Sequence, residues 1–520
     1  MIKKGIEIKL NVQPVYIGLV HKYFFEGPCR MAPTEQLTPE FEAMMQPMMG
    51  KGSFADVQGH LKDEKQIHLL EPIYLERDDE MTTPEWMFEE MMKNDAEVDL
   101  YLFTAVQMVR GDLIVEMAER TGKPIMIQPE NCCMFARTIS HVRSHGMEGY
   151  APLYWDEAIN VMKGLRLKKV MAHSNLLQVV RMGEVAGSDI TSNAFYNQRE
   201  VTRILGTRFR AVNLHEILDQ FRPGDPMQNH TTPGRLGLNP TEEEMKEIEQ
   251  ITDDLMDGAT LVNMKKEELM TSVRLWYVVQ KFLDKHDCNM FVAPCPQFCA
   301  TRRANEERVT FCLTHSLNNE IGIPSACEAD AIAALSKQLL MSASGCATYM
   351  GETNSFLYYG DGLARAPFSP LTMEGLPNDE WKQGGLDKVE NLYFSFHAVG
   401  NRKMHGIDGE KSSYSIQPFA YTGWGGTIRN DWTEDIGQNI TLCRLSPDCK
   451  KIFIGKGTIK GGAYKEIPNC TPTIIFQVKD HKEFHDKQLD FGTHLPLAYG
   501  DHTEVLKAFA KSVGLEVVEA

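Results

Sequence analysis

Three short stretches of the chain set a potential metal-binding side chain among small neighbours at the end of an apolar run. They are Pro324-Ser325-Ala326-Cys327-Glu328-Ala329-Asp330, Tyr349-Met350-Gly351-Glu352 and Phe491-Gly492-Thr493-His494. Two carboxylates, Glu328 and Glu352, with one imidazole, His494, suit a hard-to-borderline divalent cation such as Mn²⁺ or Mg²⁺. A cation held by only three protein groups keeps coordination positions open for a substrate. The competing account is that these are ordinary polar residues at strand and helix ends, with His494 a core histidine satisfied by one backbone bond. Asp330, two residues past Glu328, is expected to cap the helix that follows. On that view Asp330→Asn spares an activity that Glu328→Gln abolishes.

The elements that must bring these stretches together can be read from apolar spacing. The runs 15–20, 72–75, 98–103 and 124–127 read as buried strands, and 112–120 as a helix stopped by Gly122. Strand, helix and strand with short connections predict a parallel sheet with helices on its faces. A second unit opens near Leu167 and continues through 208–212 and 289–293. Between them, 241–285 has the spacing of one or two amphipathic helices, with Met245, Met256, Met264 and Met270 as adaptable core. A further helix is expected over 330–340.

Past residue 346 glycine becomes frequent and the segments shorten to 441–445, 451–454 (broken at Gly455) and 473–478. That texture predicts a barrel or sandwich of short strands. The expected fold is therefore α/β. Two Rossmann-like α/β domains, 1–166 and 167–345, precede a β-rich, barrel-like C-terminal domain, 346–520. The second domain carries Glu328; the third carries Glu352 and His494.

Composition narrows the function. Asp plus Glu total 71 against 54 for Lys plus Arg, a net charge of -17, which argues against nucleic-acid binding. No run approaches a membrane-spanning length and no secretory leader is evident, so no membrane partner and a cytoplasmic location are expected. The 12 cysteines are scattered. Cys132-Cys133 and the spaced pair Cys295 and Cys299 read as free thiols rather than a structural zinc site. No dinucleotide fingerprint, P-loop or nucleophile elbow is present. The glycine-rich stretches 455–458 and 423–426 lack a following helix and read as turns.

The order Ala326-Cys327-Glu328-Ala329-Asp330, an apolar helix, an acid after Gly351, and a β-rich region ending Phe491-Gly492-Thr493-His494-Leu495-Pro496-Leu497-Ala498-Tyr499-Gly500-Asp501-His502 resembles the L-fucose/L-arabinose isomerase superfamily, most closely its fucose isomerase branch. The resemblance covers roughly 320–520 in motifs and 1–320 in architecture. It implies a metal-dependent aldose–ketose isomerase working through a cis-enediolate. Glu328, Glu352 and His494 would bind Mn²⁺, with Mg²⁺ or Co²⁺ as substitutes, and Glu328 and Glu352 would share the catalytic work. It also implies a homo-oligomer, trimer or hexamer, whose neighbouring subunits complete each site.

Three departures stand out. Glu352 replaces the family's aspartate, the usual His-Cys-Gly becomes Phe396-His397-Ala398, and Glu26-Gly27-Pro28-Cys29-Arg30-Met31 matches no motif of the family. They leave the sugar open, with a deoxy or sulfonated hexose such as sulfoquinovose among the candidates. His397 reads as a donor to a sugar hydroxyl or as a buried strand histidine. Arg429 reads as a partner for an anionic substituent or as a surface group, as does Arg402. Trp424, like Trp432, reads as a stacking platform or as core. The rival account is a non-catalytic sugar-binding protein built on paired α/β domains.

Overall fold

The computed structural model describes residues 2–19, 51–77, 85–105, 111–130, 135–180, 197–222, 236–295, 298, 302–367 and 379–520. Cys132, Cys133 and Cys299 lie outside them. The chain forms two compact units, Ile8–Arg166, and Met1–Glu7 together with Leu167–Ala520. Among the described residues no helix is long and apolar enough to cross a membrane.

The Ile8–Arg166 unit is built on a parallel sheet. Leu10–Leu19 pairs with Ile67–Leu69, Ile73–Arg77 and Leu100–Ala105, and Ile125–Ile127 and Gly149–Tyr150 extend the sheet, every pairing parallel. Val12, Val15, Leu100, Leu102, Phe103, Ile125 and Ile127 are all buried, because helices cover a parallel sheet on both faces. The helix Gly111–Thr121 stops at Gly122, whose φ of 65° is a left-handed conformation that costs glycine nothing.

The larger unit contains a second parallel sheet, in the order Ser325–Ala326, Met290–Val292, Asn175–Val180, Arg208–Asn213. The apolar run at 167–171 belongs to the helix Trp155–Ala172. The 241–285 stretch forms two helices, Glu242–Asp257 and Lys266–Lys285, the first opened by a capping box between Thr241 and Glu244. Met245, Met256, Met264 and Met270 pack, partly buried, against Leu269, Val273 and Tyr414.

A closed barrel follows. Its strands are β1 (Tyr349–Ser355), β2 (Leu392–Phe396), β3 (Asn439–Leu445), β4 (Lys451–Ala463), β5 (Thr473–Gln477) and β6 (His494–Tyr499). The spatial order is β3, β6, β1, β2, β5, β4, and β4 pairs back onto β3 to close the ring, all antiparallel. Closure removes the free edges that an open sheet would expose. Two helices flank the strand Ser325–Ala326, α1 (Cys312–Glu320) before it and α2 (Ala331–Ser344) after it, and α2 joins the parallel sheet to the barrel. Every residue of α2 from Ala331 to Ser342 is buried. It packs against Met290–Val292 and Ser325–Ala326 on one side and against β3 and β6 on the other, so it is apolar nearly all round, as a core helix must be.

β4 runs unbroken through Gly455, and 455–458 is strand rather than turn. The reason is tertiary. A Cβ at Gly455 would lie 2.6 Å from the Phe484 ring, and one at Gly457 would lie 2.9 Å from the Phe476 ring. Glycine weakens an isolated strand but admits close packing over the backbone. The stretch 423–425 is a turn, between the paired strands Tyr414–Pro418 and Gly426–Asn430.

Gly351, the residue before Glu352, sits at another close approach. A Cβ there would meet the Phe396 carbonyl oxygen and the Ser395 hydroxyl oxygen, each at 2.7 Å. The carbonyl is backbone and has little room to retreat. Gly351→Ala is therefore expected to destabilise the protein by about 1–3 kcal/mol, read as a lowered urea midpoint. Gly360→Ala is the control: nothing among the described residues lies within 4 Å of its Cβ position, and its effect should stay within about 0.5 kcal/mol.

Candidate metal centre

Glu328 stands just beyond the carboxyl end of the strand Ser325–Ala326, where open α/β sheets bind their ligands. Glu328 and Ala329 both take left-handed backbone, with φ of 57° and 54°. That conformation is costly for residues with a Cβ and tends to be held where function requires it. Here the Ala329 N–H donates to the Ala293 carbonyl at 2.7 Å and the Asp330 N–H to the Cys327 carbonyl at 3.1 Å. Ser325 is fixed from two helices. Its hydroxyl meets His315 Nδ1 at 2.7 Å, its N–H donates to Asn319 Oδ1 at 3.0 Å, and its carbonyl accepts from Lys337 Nζ at 2.9 Å.

The barrel supplies the other groups from adjacent strands. Glu352 on β1 is the cross-strand partner of His494 on β6 and of Phe396 on β2, and His397 follows Phe396 directly. A side chain from each of three neighbouring strands thus gathers at one end of the barrel, beside the Glu328 turn.

The distances define a compact cluster. His397 Nε2 lies 3.5 Å from Glu328 Oε1, and His494 Nε2 lies 3.7 Å from Glu328 Oε2. The same His494 Nε2 is 3.4 Å from Glu352 Oε1. One ligand atom each from Glu328, His397 and His494 fall within 4.8 Å of one another. Both imidazoles are nearly or wholly buried, while Glu328 and Glu352 keep 20% and 25% side-chain exposure, so the cluster opens on its carboxylate side. Among the described residues His494 Nε2 is buried without a hydrogen-bond partner. A buried nitrogen lone pair facing two carboxylates is costly unless something positive sits between them. The donor set of imidazole and carboxylate therefore fits a borderline divalent cation.

The carboxylate and the imidazoles also shift one another's proton affinity. Burial tends to raise the Glu328 carboxyl, but hydrogen bonding to His397 and the nearby His494 ring hold it below the usual range. Burial tends to discharge His397; the Cys470 and Cys327 thiols and the Glu328 carboxylate outweigh it and keep the ring well above the ordinary histidine value. Cys470 Sγ lies 3.7 Å from His397 Nδ1.

The remaining candidates stand elsewhere. Arg429 is fully buried and gives its N–H groups to Thr427 Oγ1, Thr471 Oγ1 and the carbonyls of Ile467, Pro418 and Asn469, tying the hairpin to the loop before β5. Trp424 is half-buried on the turn at 423–425 and makes no ring contact among the described residues. Trp432 is core, edge-on to Tyr349 with centroids 5.1 Å apart. Arg402 is engaged by Glu320, Nε to Oε1 at 2.9 Å.

No protein-family model and no curated protein matches the chain. Among solved structures, it is similar to a periplasmic solute-binding protein of an ABC transporter from Actinobacillus succinogenes 130z with bound D-allose, at 11% identity over 55% of this chain and 78% of that one, with a TM-score of 0.14. A structure from Mycobacterium smegmatis aligns at 9% identity over 55% of this chain and 72% of that one, with a TM-score of 0.11. Scores this low carry no argument about fold or function.

Two residues at the centre gave a weaker sequence signal. Asp330 is the N-cap of α2, its Oδ1 accepting from the Ala333 N–H at 2.8 Å, but its Oδ2 also meets His494 Nδ1 at 3.0 Å. Arg444 answers it, with Nη1 at 2.9 Å from Asp330 Oδ2. The available signal was a lone arginine inside the apolar run Thr441-Leu442-Cys443-Arg444-Leu445, since a charge in a buried strand demands a partner.

Lys337, beneath the Glu328 turn, yields a test of this buried polar layer. Burial pushes its amine down to about 7, whereas the unfolded chain holds lysine near ~10.4. Between those values the unfolded state binds more protons, so stability rises with pH. Urea titrations of the wild-type protein should show that rise from about pH 7 to about pH 10. Lys337→Met should flatten it; an unchanged slope would contradict the buried amine.

Proposed function

We propose that this chain is a divalent-metal-dependent aldose–ketose isomerase acting on an open-chain sugar, of the fucose isomerase type. The observation that supports it is the convergence of Glu328, His397 and His494, with Glu352 against His494. The cation is proposed as Mn²⁺, with Co²⁺ or Mg²⁺ as substitutes; two imidazoles favour the transition ions over Mg²⁺. Held by Glu328, His397 and His494, such a cation would act as a Lewis acid on the sugar carbonyl.

The chain's own residues then divide the work. Glu328 faces both imidazoles, one through each oxygen, which suits it to hold the cation. Glu352 touches the cluster through His494 and keeps a quarter of its side chain open. It is the better placed of the two acids to take a proton from C2 and return it to C1. His397, read from sequence as a hydroxyl donor, is assigned here as a further ligand. Arg429 has its donors turned to protein acceptors, and Trp424 is half-buried between the paired strands. The sugar is proposed as a neutral, deoxy or sulfonated hexose. The resemblance also carries a homo-oligomer, trimer or hexamer, which sedimentation of the purified protein tests; a cytoplasmic location is proposed from the net charge of -17.

Incubation with Mn²⁺ and neutral, deoxy and sulfonated aldoses in D₂O decides the activity. Ketose should form with deuterium at C1, and the recovered aldose should carry deuterium at C2. Glu328→Gln and Glu352→Gln should each lower turnover about 10²–10⁴-fold, Glu328→Gln with loss of bound metal and Glu352→Gln with much of it retained. Sugar binding without exchange, in protein that takes up no stoichiometric transition metal, would make this a binding protein instead.

A further inference from the structure

We propose that Asp330 is a positioning residue that fixes His494 as a donor through Nε2, and that Arg444 holds Asp330 in that role. The proposal rests on the metal reading above and goes further, since Asp330 itself touches no cation.

The argument starts from protons. His494 and Asp330 are both fully buried, with Nδ1 to Oδ2 at 3.0 Å. A carboxylate offers only acceptors, so His494 Nδ1 carries the hydrogen. A neutral imidazole protonated at Nδ1 has its lone pair on Nε2. That is the atom left without a hydrogen-bond partner among the described residues, facing Glu328 and Glu352. Which ring nitrogen binds a metal is set by the bond the other one makes.

Both oxygens of Asp330 are otherwise committed. Oδ1 accepts from the Ala333 N–H at 2.8 Å and from Arg444 Nη2 at 3.2 Å. Oδ2 accepts from Arg444 Nη1 at 2.9 Å as well as from His494. Arg444 also donates from Nε to the Phe491 carbonyl and from Nη1 to the carbonyl of His494 itself, at 2.7 Å. One guanidinium therefore grips the carboxylate that orients the ring and the backbone that carries the ring. The carboxylate has no remaining freedom to rotate away.

This geometry reverses the expectation that Asp330→Asn is neutral. Asparagine keeps an oxygen for the Ala333 cap, but it sets an NH₂ group against His494 Nδ1. That nitrogen must then accept, and the hydrogen moves to Nε2, where it blocks the cation. Serine also keeps the cap but imposes neither tautomer.

The test uses the full chain. Mn²⁺ binding is measured by calorimetry for wild type, Asp330→Asn and Asp330→Ser, with thermal melts to confirm folding. The ¹⁵N-histidine spectrum of the metal-free wild type is recorded in parallel, and the His494 signals are assigned by their loss in His494→Gln. We expect an Nδ1–H tautomer for His494 and an affinity about 10–100-fold weaker in Asp330→Asn, with Asp330→Ser between it and wild type. An Nε2–H tautomer in the wild type overturns the proposal, as does equal Mn²⁺ affinity in the two variants when both are folded. Should the variants fail to fold, the wild-type spectrum still decides. A wild type that binds no transition metal but shows the Nδ1–H tautomer sinks the metal reading and leaves the positioning intact.

Discussion

The buried pairing of Asp330 with Arg444 is the constraint on which the larger unit depends. Neither side chain is more than 1% exposed. Removing one partner of such a pair leaves an uncompensated charge, at a cost of about 3–5 kcal/mol. Arg444 comes from a barrel strand and Asp330 from the start of a helix under the parallel sheet, so the pair is also a tie between layers. Burial raises the Asp330 carboxyl, but the Arg444 guanidinium and the hydrogen bond from His494 outweigh it and hold it below the usual carboxylate range. Helix α2, the turn at Glu328 and strand β3 are therefore held in one relation by this ionic contact, and β6 joins them through the hydrogen bonds of His494.

That relation explains why strain is tolerated at the centre. Glu328 and Ala329 sit in left-handed backbone, where a residue with a side chain pays roughly 1–3 kcal/mol. The turn persists because Ser325 is held before it by groups from α1 and α2, and Asp330 is anchored after it. The carboxylate of Glu328 is thus aimed by its surroundings rather than by its own preference. On the barrel side the aim comes from register: Glu352 and His494 are cross-strand neighbours, so one hydrogen-bonded ladder fixes two members of the cluster.

Much of this was legible in the chain because it depends on local pattern. Period-two alternation and turn residues gave the short strands after 346, and helical spacing gave 241–285. The small residues flanking Glu328, between an apolar run and a helix, marked a turn with room for a ligand, and Asp330 announced itself as a cap. What escaped depends on partners far away. Asp330 meets His494 across 164 residues, and no spacing rule connects an N-cap with a strand start at that distance. Gly455 looked like a break because the Phe484 ring that makes glycine necessary there lies outside any local window. Arg429 looked available because its acceptors, Ile467, Asn469 and Thr471, belong to a loop whose proximity only the folded chain reveals. His397 was ambiguous for the same reason: a histidine after an apolar strand is common, and only the position of Glu328 distinguishes it.

The order of strands has a consequence for biosynthesis. β6 follows the other five barrel strands in the chain yet lies between β3 and β1. As the polypeptide leaves the ribosome, β3 and β1 must wait with unsatisfied backbone groups until the intervening strand emerges. Insertion of that strand closes the ring and delivers His494 to Asp330 in one event. The nascent protein therefore passes through a stage in which two long strands are open to sticking to other chains, and in which the centre is still incomplete. Chaperone demand should concentrate in that interval.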